Sequence, residues 1–160
     1  MSVKINKNIE LESLVKVALN GDIRKNALDF TSFLENNDML MKDNAVIYQN
    51  EVVCYLHIDS GEEEPSPWTI WTEGGYNCEI ESIPMDGRMK EIAWAHVNRC
   101  ANCGDCKPGQ SKVIFGKAYD NVCNAGMAFY RPNTEALECV KKLLLMRKHD
   151  IISGENRCLT

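Results

Sequence analysis

The chain has 160 residues, of which 44% are hydrophobic and 26% are charged, and its net charge at pH 7 is −5. This length fits one domain with its own core, and the composition is that of a globular chain and not of a disordered one. The acidic balance argues against a nucleic-acid partner, because that affinity comes largely from Lys and Arg neutralising phosphates.

The N-terminal segment carries charged residues every few positions and contains no unbroken apolar block. It therefore predicts neither a signal peptide nor a membrane span. Without an export signal, we expect the eight cysteines to lie in the reducing environment of the cytoplasm. Clustered thiols in that compartment are more often metal ligands or catalytic groups than disulfides.

The first third of the chain predicts a pair of helices. Residues 9–36 place apolar side chains at helical spacing, and Asn20-Gly21 divides the segment in two. Asp22 is a candidate cap for the second helix, whose apolar stripe includes Phe30 and Leu34.

The period then changes to that of β-strands. The segments "AVIYQ" and "EVVCYLHI" are short, β-branched and aromatic, and they meet at Asn50, which predicts a hairpin. After a polar loop, "WTIWTEGGYNCEIESI" predicts one or two further strands, broken at Gly74-Gly75.

The second half predicts a helix, a loop, a strand pair and a last helix. Asp86 is a candidate N-cap for the middle helix, which leads into a cysteine-rich loop at residues 96–123. The segments "KVIFGKAY" and "CNAGMAFY" predict another pair of strands, and Pro132-Asn133-Thr134 opens the last helix, whose apolar stripe includes Leu137, Val140 and Leu144.

This order of elements predicts the α+β class. We expect an antiparallel sheet with N-terminal helices, a middle helix leading into the cysteine-rich metal loop, and a C-terminal helix packed on the sheet. Residues 1–152 would form a single domain, and residues 153–160 a flexible tail.

The cysteine loop carries the most specific chemical signal. Cys100, Cys103, Cys106 and Cys123 follow the pattern C-x2-C-x2-C-x16-C. Gly104 directly after the second cysteine lets the backbone turn so that amide N–H groups can face the sulfurs. Four thiolates about 2.3 Å from one ion form the closed tetrahedral geometry of a structural zinc site. We therefore predict that these four residues bind zinc and attach the loop to the sheet.

Other interpretations of the cysteines stay open. An iron–sulfur cluster uses the same C-x2-C-x2-C spacing, although the usual Cys-Pro ending is absent here. A redox disulfide within the loop is chemically possible, and ordinary buried cysteines are disfavoured by the polar surroundings. His96, one helical turn before Cys100, could replace a thiolate, but a local hydrogen bond of its ring is the simpler interpretation. Cys54, Cys78 and Cys139 lie in apolar patterns typical of a core, and Cys158 is expected to be free.

The tryptophans offer a second hypothesis. Trp68 and Trp71 face opposite sides of a regular strand, so one belongs to the core and the other faces a second layer or a cleft. A small-molecule sensor would use an aromatic cleft bordered by Trp71 or Trp94, with Tyr55 and Tyr76 as further lining residues. Ordinary core packing is the competing interpretation.

No catalytic motif is present in the sequence: a nucleophile elbow, a phosphate loop, a dinucleotide fingerprint and a His-Glu-x-x-His pair are all missing. The sequence therefore favours a zinc-stabilised binding or interaction module, whose partner is an unknown small molecule or protein. A thiol-dependent, metal-dependent or iron–sulfur enzyme is the alternative.

From "EIAWAHVNRCANCGDCKPG" to "IFGKAYDNVCNAGMAFYRPNTEALECVKKL" the chain resembles a group of bacterial, mainly clostridial, cysteine-rich proteins of unknown function. The shared features are an Ile-x-Trp-Ala-x-Val-Asn helix, the three-cysteine loop with Pro-Gly, an Asn-x-Cys strand and a closing Glu-Cys-Val-Lys-Lys helix. The upstream part is similar to the small YdhG/YjbR-like α+β domains. The resemblance implies the fold and the cysteine set, and it implies no activity.

Overall fold

The computed structural model describes residues 8–58, 67–72, 85–104 and 107–153. Within them the chain forms four helices and one seven-stranded antiparallel sheet, which confirms the predicted α+β class. The helices are α1 (Ile9–Ala18), α2 (Gly21–Asn36), α3 (Gly87–Ala95) and α4 (Thr134–Ser153). The strands are β1 (Leu40–Lys42), β2 (Ala45–Tyr48), β3 (Glu51–Ile58), β4 (Trp68–Thr72), β5 (Val97–Arg99), β6 (Gln110–Ile114) and β7 (Lys117–Tyr130).

The two N-terminal helices meet at a corner held by Arg24 of α2. Its Nε donates to the carbonyl of Leu19 at 2.6 Å, and its Nη2 donates to the carbonyl of Lys16 at 2.8 Å. These carbonyls lie at the C-terminal end of α1, where helix geometry supplies no partner. The predicted cap Asp22 is wrong by two positions: Asn20 is the N-cap, because α2 already begins at Gly21, and Asp22 lies in the first turn.

A short strand that the sequence did not predict follows α2. β1 pairs with β2 at the edge of the sheet. The buried side chain of Asn8 holds it there, because its Nδ2 donates to the carbonyl of Met39 at 3.0 Å and its Oδ1 accepts from the amide of Met41 at 3.1 Å. The start of α1 is thereby joined to the first edge strand.

Two hairpins turn on pairs of residues with positive φ. Gln49 and Asn50, with φ of 50° and 66°, connect β2 to β3 as the sequence predicted. Phe115 and Gly116, with φ of 48° and 85°, connect β6 to β7. Two-residue turns of this handedness match the twist of paired strands. The segment "KVIFGKAY" is therefore itself a hairpin, and its last residues continue into "CNAGMAFY" as one strand of 14 residues.

β7 connects strands β1–β4 to β5 and β6 within the sheet. Its residues 128–130 pair with β4, and its residues 117–122 pair with β6. β5 pairs along the opposite edge, and Val122 lies opposite both Arg99 of β5 and Gln110 of β6. Because β5 and β6 flank the same residue, the segment that connects them must cross β7.

The core lies between the sheet and the helices. α4 contacts α2, α3, β3 and β4, and the apolar stripe predicted for it is buried. Asp86 caps α3 as predicted, since its side chain accepts from the amide of Met89 at 2.8 Å. Among the described helices, none has the combination of length and apolar character that crossing a bilayer requires.

Candidate metal centre

The cysteine loop is attached to the sheet at Asn121 of β7. The amide of Cys100 donates to the carbonyl of Asn121 at 2.8 Å, and Nδ2 of Asn121 donates to the carbonyl of Cys100 at 3.3 Å. Asn121 has a φ of 56°, a left-handed conformation that Asn tolerates better than most residues. The first cysteine of the motif is therefore fixed to the strand by both hydrogen bonds.

The far end of the loop returns to the same point. A Cβ atom built on Gly109 would lie 2.3 Å from Oδ1 of Asn121 and 2.6 Å from Cβ of Cys100. Both distances are far below van der Waals contact, so a side chain does not fit at this position. Cys100 and Gly109 thus meet at Asn121, and only glycine permits this approach.

Two of the predicted ligands face a common recess. Cys100 is half-buried and Cys103 is exposed, and both line a cavity of about 150 Å³. Gly104 turns the backbone with a φ of 82°, in keeping with the role that the sequence assigned to it. Sγ of Cys100 donates to Oδ1 of Asn102 at 3.8 Å. The remaining lining residues are Lys107 and Pro108.

Cys123 lies on β7 beside the crossing point. It is half-buried and directly follows Val122, the residue flanked by β5 and β6. The register between β5 and β7 shifts here, so that residues 123–126 stand opposite the single residue Asn98. Cys123 therefore begins the irregular stretch of β7, where the pairing with β5 is interrupted.

The complete ligand set is a prediction that the structure leaves open. Cys106 lies outside the described residues, and so do Cys78 and Cys158. Within the described part of the chain, no three His, Cys, Asp or Glu side chains are grouped as a metal site would require. Cys100, Cys103 and Cys123 are thus placed on the loop and its anchoring strand, with the fourth predicted ligand not described.

His96 makes the local interactions that the sequence suggested. Its Nδ1 lies 2.7 Å from the carbonyl of Ile92, and since a carbonyl only accepts, Nδ1 carries the hydrogen. The ring stacks on Phe129 with 4.3 Å between centroids and 14° between planes. Phe129 is fully buried, so the imidazole faces the core.

The other described cysteines belong to the core, as predicted. Cys54 and Cys139 are both fully buried. Burial raises the pKa of the Cys139 thiol to about 12, because the apolar interior disfavours the thiolate. All five cysteines within the described residues are free thiols.

The tryptophans separate as the strand alternation predicts. Trp68 is buried, and its ring packs against Phe30 at 5.9 Å between centroids. Trp71 is half-buried, and its ring lies 6.3 Å from that of His57. Trp94 instead donates its Nε1–H to the carbonyl of Ile114 at 2.7 Å. The two indoles proposed to border a cleft have different neighbours, and the cleft remains a prediction; Tyr76 lies outside the described residues.

Sequence reasoning missed Asn121 and Gly109, which shape the base of the loop. An Asn between two predicted strand segments and a Gly after a Pro are local signals of unusual backbone conformation. Their partners, however, are distant in sequence: Asn121 is 21 residues from Cys100. The contact between Asn121 and Cys100 forms because β5 and β6 pair with opposite edges of β7, so that the chain between them crosses this strand.

Comparison with known protein families, with curated proteins and with solved structures finds no significant match to this chain. The functional assignment therefore depends on the geometry and chemistry of the residues described above.

Proposed function

We propose that this chain is a cytoplasmic binding or interaction module whose cysteine loop is held on β7 by a structural zinc ion. The ligands would be Cys100, Cys103, Cys106 and Cys123. The observation that carries the proposal is the closed base of the loop at Asn121, from which Cys100 and Cys103 both face one recess.

The polar character of the loop explains why a metal would be useful there. Every described residue from 101 to 104 is exposed, so this segment buries no apolar side chain. A segment of this kind gains little from the hydrophobic effect to offset the entropy of ordering it. Four thiolate bonds to one ion would supply that free energy and would keep the ends of β5 and β6 in place on either side of β7.

The test is the metal content and metal dependence of the protein purified without added metal. We expect about one zinc per chain, and we expect a chelator to lower the melting temperature strongly, since structural zinc contributes about 10–16 kcal/mol of apparent binding free energy in small peptides. Cys103→Ser and Cys123→Ser should lose the metal, whereas Cys158→Ser, at the cysteine expected to be free, should retain it. Metal-free protein whose melting is insensitive to chelator would contradict the proposal, and a brown protein with visible absorption would favour an iron–sulfur cluster.

A thiol-dependent enzyme is the second candidate, favoured by the exposure of Cys103 beside the recess. Alkylation of the metal-loaded protein at neutral pH separates the two functions. A closed zinc site protects all four thiols to the same degree, whereas a catalytic nucleophile reacts first.

A further inference from the structure

Beside the cysteine loop, cations and aromatic rings alternate in space. Cζ of Arg99 lies 5.6 Å from the ring centroid of Tyr119, and Nζ of Lys117 lies 5.5 Å from the same centroid. Nζ of Lys117 is also 5.4 Å from the ring of Trp94. Each cation is therefore within the distance at which the quadrupole of a ring attracts it.

Lys112 adds a third cation. It lies directly opposite Tyr119 in the β6–β7 register, which places both side chains on the same face of the hairpin. Arg99 and Lys117 are exposed, and Lys112, Tyr119 and Trp94 are half-buried. We call these five residues the basic surface.

The cations of the basic surface have no acidic partner within the described residues. Arg99 donates to the carbonyl of Asp120, and neither it nor Lys112 or Lys117 forms a salt bridge there. The neighbouring Asp120 carboxylate accepts from the hydroxyl of Ser111 instead. Elsewhere Lys141 contacts two carboxylates, and Arg88 likewise contacts two. Three positive charges without a salt bridge, on a chain of net charge −5, form a local field that attracts anions.

We propose that the basic surface binds an acidic peptide segment of a partner protein. This inference depends on the proposed role as a binding module, and not on the zinc ion. Three cations favour a ligand with several carboxylates, and β6 pairs only with β7 among the described strands, so an extended peptide can approach its outer edge.

The charge distribution favours a short acidic segment over a nucleic acid. Charges are screened beyond about 8 Å at physiological ionic strength, so a short peptide experiences mainly the three cations. A long polyanion would also extend over the acidic remainder of the molecule. In addition, Lys117 is placed near the rings of both Trp94 and Tyr119, where it competes with the base stacking that single-stranded nucleic acids use.

The test measures binding of a fluorescein-labelled glutamate-rich decapeptide to the full chain by fluorescence anisotropy. A glutamine-rich decapeptide and a poly-dT oligonucleotide of similar length serve as comparison probes. We expect the acidic peptide to bind the wild type, with an affinity that falls as salt increases. The double variant Lys112→Gln/Lys117→Gln should bind it at least about tenfold more weakly.

Matched variants keep the result interpretable. Lys25→Gln/Lys42→Gln removes two exposed lysines from other elements and should change affinity by less than about twofold. Lys112→Arg/Lys117→Arg restores the charges and should recover binding. Equal binding of the two peptides, or unchanged binding in the double glutamine variant, would overturn the proposal, as would tight binding of poly-dT alone. Zinc content measured on the same samples separates the two proposals, because a metal-free chain that still binds the peptide contradicts only the zinc site.

Discussion

Asn121 is bound to Cys100 through two hydrogen bonds, one with its backbone carbonyl at 2.8 Å and one with its side-chain amide at 3.3 Å. The same residue occupies the space next to Gly109 at the other end of the loop. One residue of β7 is therefore bonded to one end of the segment that carries the cysteines and packs closely against the other end. The position of the first thiol therefore depends on this contact.

Replacing Asn121 separates its hydrogen bond from its backbone conformation. Asn121→Gly and Asn121→Ala both lose the side-chain hydrogen bond to Cys100 and keep the backbone one, but only Ala is strained at a φ of 56°. We therefore expect Ala to lower the free energy of unfolding by about 1 kcal/mol more than Gly. Urea unfolding of both variants measures the difference, and equal or reversed stabilities would contradict the structural role.

Gly109→Ala should disturb the base of the loop. Its methyl group would overlap Asn121 and Cys100, so the loop must shift, at a cost of about 1–3 kcal/mol. Gly87→Ala is the matched control, because nothing lies within 4 Å of the new Cβ and Ala favours the helix. We expect the control to be neutral or slightly stabilising in thermal unfolding. Similar losses in both variants would mean that Gly109 is not sterically constrained.

The raised pKa of the buried Cys139 thiol predicts that the protein loses stability at alkaline pH. Its pKa is raised from 9.0 to about 12 by burial, so between these values the unfolded chain releases the thiol proton and the folded chain keeps it. The stabilisation is complete below pH 9 and is lost as the pH rises toward 12, because the unfolded state then binds fewer protons. Unfolding free energies measured from pH 8 to 11 should fall less steeply in Cys139→Ala than in the wild type. Parallel curves would show that the thiol does not contribute.

Arg24 should be sensitive even to a conservative change. Arg24→Met removes hydrogen bonds to the carbonyls of Leu19 and Lys16, and we expect a loss of about 1–2 kcal/mol. Arg24→Lys should restore little of it, because a lysine lacks the planar fork that reaches both acceptors. The adjacent exposed residue provides the control, since Lys25→Met should remain within about 0.5 kcal/mol of the wild type. Full rescue by lysine would show that charge alone accounts for the effect.

Local patterns in the sequence were sufficient to predict most of the helices and the first hairpin. The stripe of α4 and the cap at Asp86 involve residues three or four positions apart, and both are confirmed. β1 could not be predicted, because it is held through Met41 by Asn8, which lies 33 positions earlier in the sequence. The hairpin inside "KVIFGKAY" was missed because Phe115 adopts a positive φ, which is unusual for a bulky residue.

For the candidate sites, too, the sequence predicted contacts between neighbouring residues and missed contacts between distant ones. The spacing of Cys100 and Cys103 in the sequence predicts a shared location, and both residues line one recess. The basic surface could not be predicted from the sequence. Arg99 belongs to β5 and Lys117 to β7, and the two cations come together at the ring of Tyr119. Long-range register, and not residue type, decides which side chains come together there.

The position of β7 as the last described strand has a consequence for synthesis on the ribosome. β5, the cysteine loop and β6 are all made before the strand with which β5 and β6 pair. At about 5–20 residues per second, the 21 positions from Cys100 to Asn121 take about 1–4 s to translate. During that interval the loop thiols of the nascent chain have no strand to hold them. The protein therefore passes through a short period in which the Cys100 thiol lacks the partial burial that the fold later gives it.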